Sequence, residues 1–151
     1  MRKNLHAFTL IELLVTIAII GILSVISLVA TNSVREAGRD AKRKTDLETI
    51  RSALELYHAD CGSYPTTALF PQPGSSLNST CGGGSKTYLV SMPDDPTTGR
   101  DYRYNYLPAS GTYYLCTALE GSSGGVNCDA GTGTTVTCGT GVNCNYETNN
   151  P

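Results

Sequence analysis

The sequence predicts an α+β protein in which one long N-terminal helix packs on a small antiparallel sheet and disulfides staple the C-terminal region. An unbroken apolar run covers residues 8–30, and no proline precedes Pro65. A stripe of apolar residues at helical spacing follows that run. The second half of the chain alternates polar and aromatic residues between turn signals, and it contains all six cysteines.

Length and composition limit the classes of protein to consider. The chain has 151 residues, enough for one small domain. Charged residues make up 16%, which is low for a soluble globular protein, and the net charge is −2. Direct nucleic acid binding is therefore not predicted.

The apolar run predicts a membrane-spanning helix. Residues 8–30 span about 34 Å as a helix, enough to cross a bilayer core. Arg2 and Lys3 precede the run and favour a cytoplasmic N-terminus, whereas the cysteines indicate export of the C-terminal side to an oxidising compartment. The run is longer than a secretory signal core and continues without a break, so we expect it to be retained.

Glu12 is the unusual residue of this run. A carboxylate within a membrane span costs on the order of 3 kcal/mol, so it suggests a functional partner. The alternative is that Glu12 lies near the membrane edge, where the cost is smaller.

The basic residues, the stretch Ala7-Phe8-Thr9-Leu10-Ile11-Glu12 and the apolar helix together resemble the signal of type IV pilins and type II secretion pseudopilins. The resemblance implies cleavage between Ala7 and Phe8 by a prepilin peptidase and methylation of the new Phe8 amine. It also implies that Glu12 pairs with the Phe8 amine of a neighbouring subunit. Two residues depart from the family pattern: Ala7 replaces the usual glycine, and Val29 stands where many members have proline.

The second half of the helix is predicted from one apolar stripe. Its members recur at spacings of three and four residues: Leu47, Ile50, Leu54, Tyr57 and Cys61. We expect a single helix from Phe8 to Asp60, with Gly62 as its C-terminal glycine. The stretch Asp46–Pro65 is similar to the matching stretch of major pseudopilins.

The cysteines are predicted to form disulfides rather than a metal site, because the chain has no C-x-x-C pair. They are Cys61, Cys81, Cys116, Cys128, Cys138 and Cys144. Sequence does not choose among their pairings. A Cys61–Cys81 bridge is the first choice, since it would close a long Pro- and Gly-rich loop.

The chain divides into five predicted segments. They are the leader 1–7, the membrane or filament-core half-helix 8–30, the amphipathic half-helix 31–60, a helix-to-sheet loop 61–100, and the sheet with its disulfide-rich loop 101–151. Strands are expected at Asp101–Tyr106 and Thr112–Leu119, with a third at Thr134–Cys138.

No cofactor is predicted, and calcium is left open. Residues Met92–Pro96 resemble an element that precedes the sheet of major pseudopilins, which bind calcium in a C-terminal loop. Asp94, Asp95, Asp101 and Asp129 offer oxygen ligands, but their spacing matches no calcium loop. Turn and cap roles are favoured for them, so no metal ligand is assigned.

The predicted role is structural, since no nucleophile–base pattern or phosphate loop occurs. The favoured function is a subunit of a type IV pilus-like filament, because extra cysteines suit a fibre outside the cell. One alternative is a pseudopilin of a type II secretion system, and another is a signal-anchored extracytoplasmic binding module that never polymerises. Expected partners are further copies in a helical filament, the prepilin peptidase and an inner-membrane assembly platform. The precursor is expected in the cytoplasmic membrane as a single-pass protein, and the assembled subunit at the cell surface.

Overall fold

The computed structural model describes residues 8–81, 83–126, 128 and 136–149. The chain forms two compact units, residues 1–36 and 37–151. Helix α1 runs from Leu10 to Cys61, close to the predicted bounds. Its end is fixed by Gly62, which adopts φ +71° and donates its N–H to the His58 carbonyl at 2.8 Å. A left-handed glycine of this kind terminates a helix at little steric cost.

A first, small sheet lies in the segment that was predicted as a loop. A 3₁₀ helix at Thr67–Leu69 is followed by strands β1, Leu77–Ser79, and β2, Lys86–Leu89, which pair antiparallel. The loop prediction for 61–100 was thus wrong here. Asp60, at the end of α1, accepts hydrogen bonds from Lys86 and Tyr88, and so ties β2 to the helix.

The main sheet has three antiparallel strands in the order β3–β4–β5. Strand β3 is Arg103–Leu107, β4 is Thr112–Thr117 and β5 is Tyr146–Asn149. The first two confirm the predicted hairpin.

The predicted third strand was wrong. Among the described residues of Thr134–Cys138, Thr137 forms only an isolated bridge with Asn143. Residues 134 and 135 lie outside the described residues. A disulfide between Cys138 and Cys144 turns the chain back on itself here, which leaves the edge of β4 to Tyr146–Asn149.

The predicted helix stripe forms the core of the second unit. Leu47, Ile50 and Leu54 are fully buried and Tyr57 nearly so. They belong to one cluster with residues of β3 and β4, including Tyr104, Tyr113 and Leu115. Because tryptophan is absent, tyrosines supply most of the aromatic volume.

Buried tyrosines need acceptors for their hydroxyl groups. Tyr104 donates to the Pro65 carbonyl at 2.7 Å. Tyr64 and Tyr113 donate to the two carboxylate oxygens of Glu55, at 2.9 and 3.1 Å. Glu55 therefore fixes two core tyrosines against α1 while remaining half-buried itself.

Candidate functional site

The candidate site is the start of helix α1, where Thr9 and Glu12 bind each other. Thr9 donates its N–H and its hydroxyl to Oε2 of Glu12, each at 2.8 Å. Glu12 returns its N–H to the Thr9 hydroxyl at 3.4 Å. This reciprocal pattern is a capping box, which satisfies backbone donors that the first helical turn would otherwise leave unpaired.

The capping box uses only one oxygen of the Glu12 carboxylate. Among the residues that the structure describes, Oε1 of Glu12 has no hydrogen-bond partner. The carboxylate is thus held in position by its own helix. The predicted pairing of Glu12 with a neighbouring Phe8 amine remains a prediction, and so does the cleavage, since Ala7 lies outside the described residues.

The capping role of Thr9 and Glu12 was missed at the level of sequence. The signal was present: a threonine followed three residues later by glutamate, directly before an apolar run, is a helix-start pattern. The cap explains part of the role of Glu12 without any partner subunit. The cap does not explain why the residue in this apolar segment is glutamate, since glutamine suits a capping box equally well.

The helix beyond the cap presents an apolar surface on all sides. Every side chain from Phe8 to Ile26 is exposed in the isolated chain, with Phe8 at 89% and Leu10 at 81%. By length and composition this part of α1 can cross a membrane. The hydroxyls of Thr16 and Ser24 bond to carbonyls of their own helix, at 2.8 and 2.7 Å, which removes their need for water. Lipid or other apolar helices must cover such a surface.

We expect Thr9→Ala to loosen the first turn of α1 by about 1 kcal/mol, the usual effect of losing an N-terminal cap. Amide hydrogen exchange of residues 10–13, measured in detergent micelles, should quicken roughly fivefold. Thr9→Ser keeps the hydroxyl and serves as the control. Equal exchange in the two variants would show that the cap contributes nothing.

The six cysteines form three disulfides, as predicted: Cys61–Cys81, Cys116–Cys128 and Cys138–Cys144. The first is the bridge favoured by the sequence. The other two are almost fully buried, within a small cluster of their own. They anchor a stretch rich in glycine and threonine that offers few apolar side chains for a core.

Calcium was left open by the sequence, and one of the four aspartates considered for it is engaged elsewhere in the structure. Asp95 gives both carboxylate oxygens to the guanidinium of Arg43. Within the described part of the chain, one group of three potential metal-ligating atoms converges, from Cys116, Cys128 and Glu147. Two of those atoms are disulfide sulfurs, which are not ligands for a hard cation. Asp129 lies outside the described residues.

Helix α1 begins with a cap and an apolar half, and its second half packs on an antiparallel sheet. This arrangement is that of a prepilin-type subunit. Two family models match the chain accordingly. The prokaryotic N-terminal methylation motif matches residues 2–28, and type II secretion system protein G matches residues 31–134, more than half of the chain. The chain belongs to the type II secretion system protein G family.

Curated relatives agree with this assignment. Type II secretion system core protein G of Pseudomonas aeruginosa is 30% identical over 138 residues, 87% of this chain and 96% of the relative. The corresponding protein of Vibrio cholerae is 34% identical over 133 residues, 83% of this chain and 87% of the relative. No solved structure gives a significant match. The predicted broad family is confirmed, and within it the relatives favour the pseudopilin alternative over the pilus subunit.

Proposed function

We propose that the chain is a pseudopilin of a type II secretion system, which polymerises into a filament after leader cleavage and N-methylation at Phe8. The observation that carries the proposal is the match of residues 31–134 to protein G of that system. The exposed apolar helix start supports it, since this surface needs many neighbours or lipid to cover it. The role is structural rather than catalytic.

The capping geometry supports a mechanism of assembly. Cleavage before Phe8 would create an ammonium group one residue before the Thr9 cap. A positive charge at a helix N-terminus is unfavourable because the helix macrodipole is positive there. A carboxylate in the first turn offsets that charge, and Oε1 of Glu12 in a neighbouring subunit is suitably placed on its own rigid turn to do so.

Low solvent access would strengthen this pairing. Two opposite charges at about 4 Å attract weakly in water and several times more strongly where the effective dielectric constant is near 20. An unpaired charge among apolar helices is correspondingly costly, so a subunit seated in the wrong register loses stability. The proposed partners are therefore other copies of this chain, with the prepilin peptidase and an inner-membrane assembly platform acting earlier.

Deleting the gene from the source organism tests the secretory role. We expect proteins that normally leave the cell to accumulate behind the outer membrane, and a plasmid copy of the gene to restore their release. A plasmid copy of Glu12→Ala should not restore it. Intact secretion with loss of surface fibres would instead assign the chain to a pilus, and no change in secretion or fibres would assign it to a non-polymerising anchor.

A further inference from the structure

Arg43 lies inside the second unit, although arginine is rarely buried without partners. Its side chain is completely inaccessible to solvent. It stands four residues before Leu47 on the buried stripe of α1, so the helix carries a positive charge into the core. Such a charge needs hydrogen-bonded counter-charges around it.

The structure supplies a partner for each of the five N–H donors of Arg43. Nε and Nη2 donate to the two carboxylate oxygens of Asp95 at 2.8 and 2.9 Å. Nη2 also donates to the Thr97 hydroxyl at 2.8 Å. Nη1 contacts Asp40 at 2.7 Å and Glu120 at 2.9 Å. The guanidinium is therefore fully coordinated.

The three carboxylates come from three separate parts of the unit. Asp40 is on α1, Asp95 is in the segment before β3, and Glu120 follows β4. Asp40 also accepts the N–H groups of Glu120 and Gly121, at 2.8 and 2.9 Å. The cluster thus fastens the chain on both sides of the β3–β4 hairpin to the helix.

Electrostatics support a permanently charged cluster. Burial alone would lower the pKa of Arg43, but its bonds to Asp95, Glu120 and Asp40 raise it above the usual value. Arg39 and then Arg43 lower the pKa of Glu120 to about 2. Burial would raise the pKa of Asp40, but the N–H groups of Glu120 and Gly121 together with Arg43 outweigh burial, and the pKa is lowered.

A divalent cation bound by carboxylates from separate segments would join those segments in the same manner. We propose that the guanidinium of Arg43, rather than a bound calcium ion, locks the segments around the β3–β4 hairpin onto α1, so that this chain folds without calcium. Two features support the proposal. Asp95 gives both carboxylate oxygens to the arginine, whereas Asp40 and Glu120 each give one and use the other for Gly121 and Arg39. The polar C-terminal stretch is anchored by covalent bridges.

Acid should weaken this lock in a defined range of pH. Glu120 has a lower pKa in the folded chain than its ordinary value of 4.5, so its contribution to stability is complete above about pH 4.5. The contribution is lost as the pH falls toward about 2. The groups facing it are Arg39, Arg43 and Thr97. Glu120→Gln should melt at a lower temperature at neutral pH, and its melting temperature should fall less steeply with acid.

The calcium requirement is tested by thermal unfolding of the full-length chain in detergent, in millimolar calcium or in a chelator. We expect one melting temperature for the wild type under both conditions, and the same result for Asp129→Asn. Arg43→Lys keeps the charge but cannot reach three carboxylates, so it should melt several degrees lower in both buffers.

A rise in the wild-type melting temperature with calcium would overturn the proposal. Loss of that rise in Asp129→Asn would then place the ion in the C-terminal loop. Arg43→Lys melting like the wild type would equally show that the guanidinium fork is not the lock. The measurement uses the unassembled chain, so its outcome is independent of filament formation and of the proposed secretory role.

Discussion

Replacing Glu12 by glutamine is expected to abolish incorporation of the subunit into filaments while the precursor still enters the membrane. Glutamine suits the third position of a capping box, so the bonds to Thr9 can persist. Only the negative charge is lost. If assembly depends on attraction to a neighbouring Phe8 ammonium, a neutral side chain at this position fails despite its similar shape.

The design separates pairing from capping. Filaments sheared from cells and the remaining membrane fraction are quantified for the wild type, Glu12→Gln and Glu12→Ala. Glu36→Gln removes a carboxylate from an exposed position of the same helix and is the matched control. We expect filaments from the wild type and the control only. Normal filaments from Glu12→Gln would show that the charge of Glu12 is not needed and that its role ends with the cap.

The second large effect is expected from Arg43→Met, which should destabilise the second unit by about 3–5 kcal/mol. Methionine fills much of the volume, but it leaves Asp95 buried without its fork of hydrogen bonds. Unfolding by heat or urea of the full-length chain in detergent measures the change. Arg51→Met is the matched control, because Arg51 is partly exposed and its ion pair with Glu48 is long, at 3.6 Å. It should stay within about 0.5 kcal/mol of the wild type.

A double-mutant cycle makes this prediction specific. Asp95→Asn removes the charge opposite Arg43, and if the two groups act as a pair, the double variant should be less destabilised than the sum of the singles. A coupling of about 1–3 kcal/mol is expected for groups in one network. Strict additivity would mean that Arg43 acts through its volume rather than through Asp95.

Sequence was sufficient for features with local causes. The helix, its glycine terminus and its stripe follow from periodicity and from Gly62, and the β3–β4 hairpin follows from alternation around a turn. Strands β1 and β2 have three and four residues, too few for a periodic signal. Strand β5 is polar, and its position is set by the edge of β4 rather than by its own residues.

The partners of Arg43 in the charge cluster could not be predicted from sequence patterns. Arg43 extends the stripe by one turn, so its burial could have been suspected. Its partners could not, because Asp95 lies 52 residues away and Glu120 lies 80 residues from Asp40. Asp95 belongs to the segment whose resemblance to major pseudopilins was noted, and the structure supplies a physical role for it as the main ligand of the arginine.

Cysteine content does not distinguish a pilus subunit from a pseudopilin. Disulfides indicate an oxidising compartment, which both kinds of filament share, so the six cysteines are compatible with either. The distinguishing information is spread over residues 31–134, in a match to a whole family rather than in any motif.

The most direct test of the account is the intact mass of the chain recovered from assembled filaments. We expect a chain that begins at Phe8, with one methyl group on the Phe8 amine and three intact disulfides. A chain that still begins at Met1, or that has been cut after Ala30 and lacks the apolar helix, would contradict it.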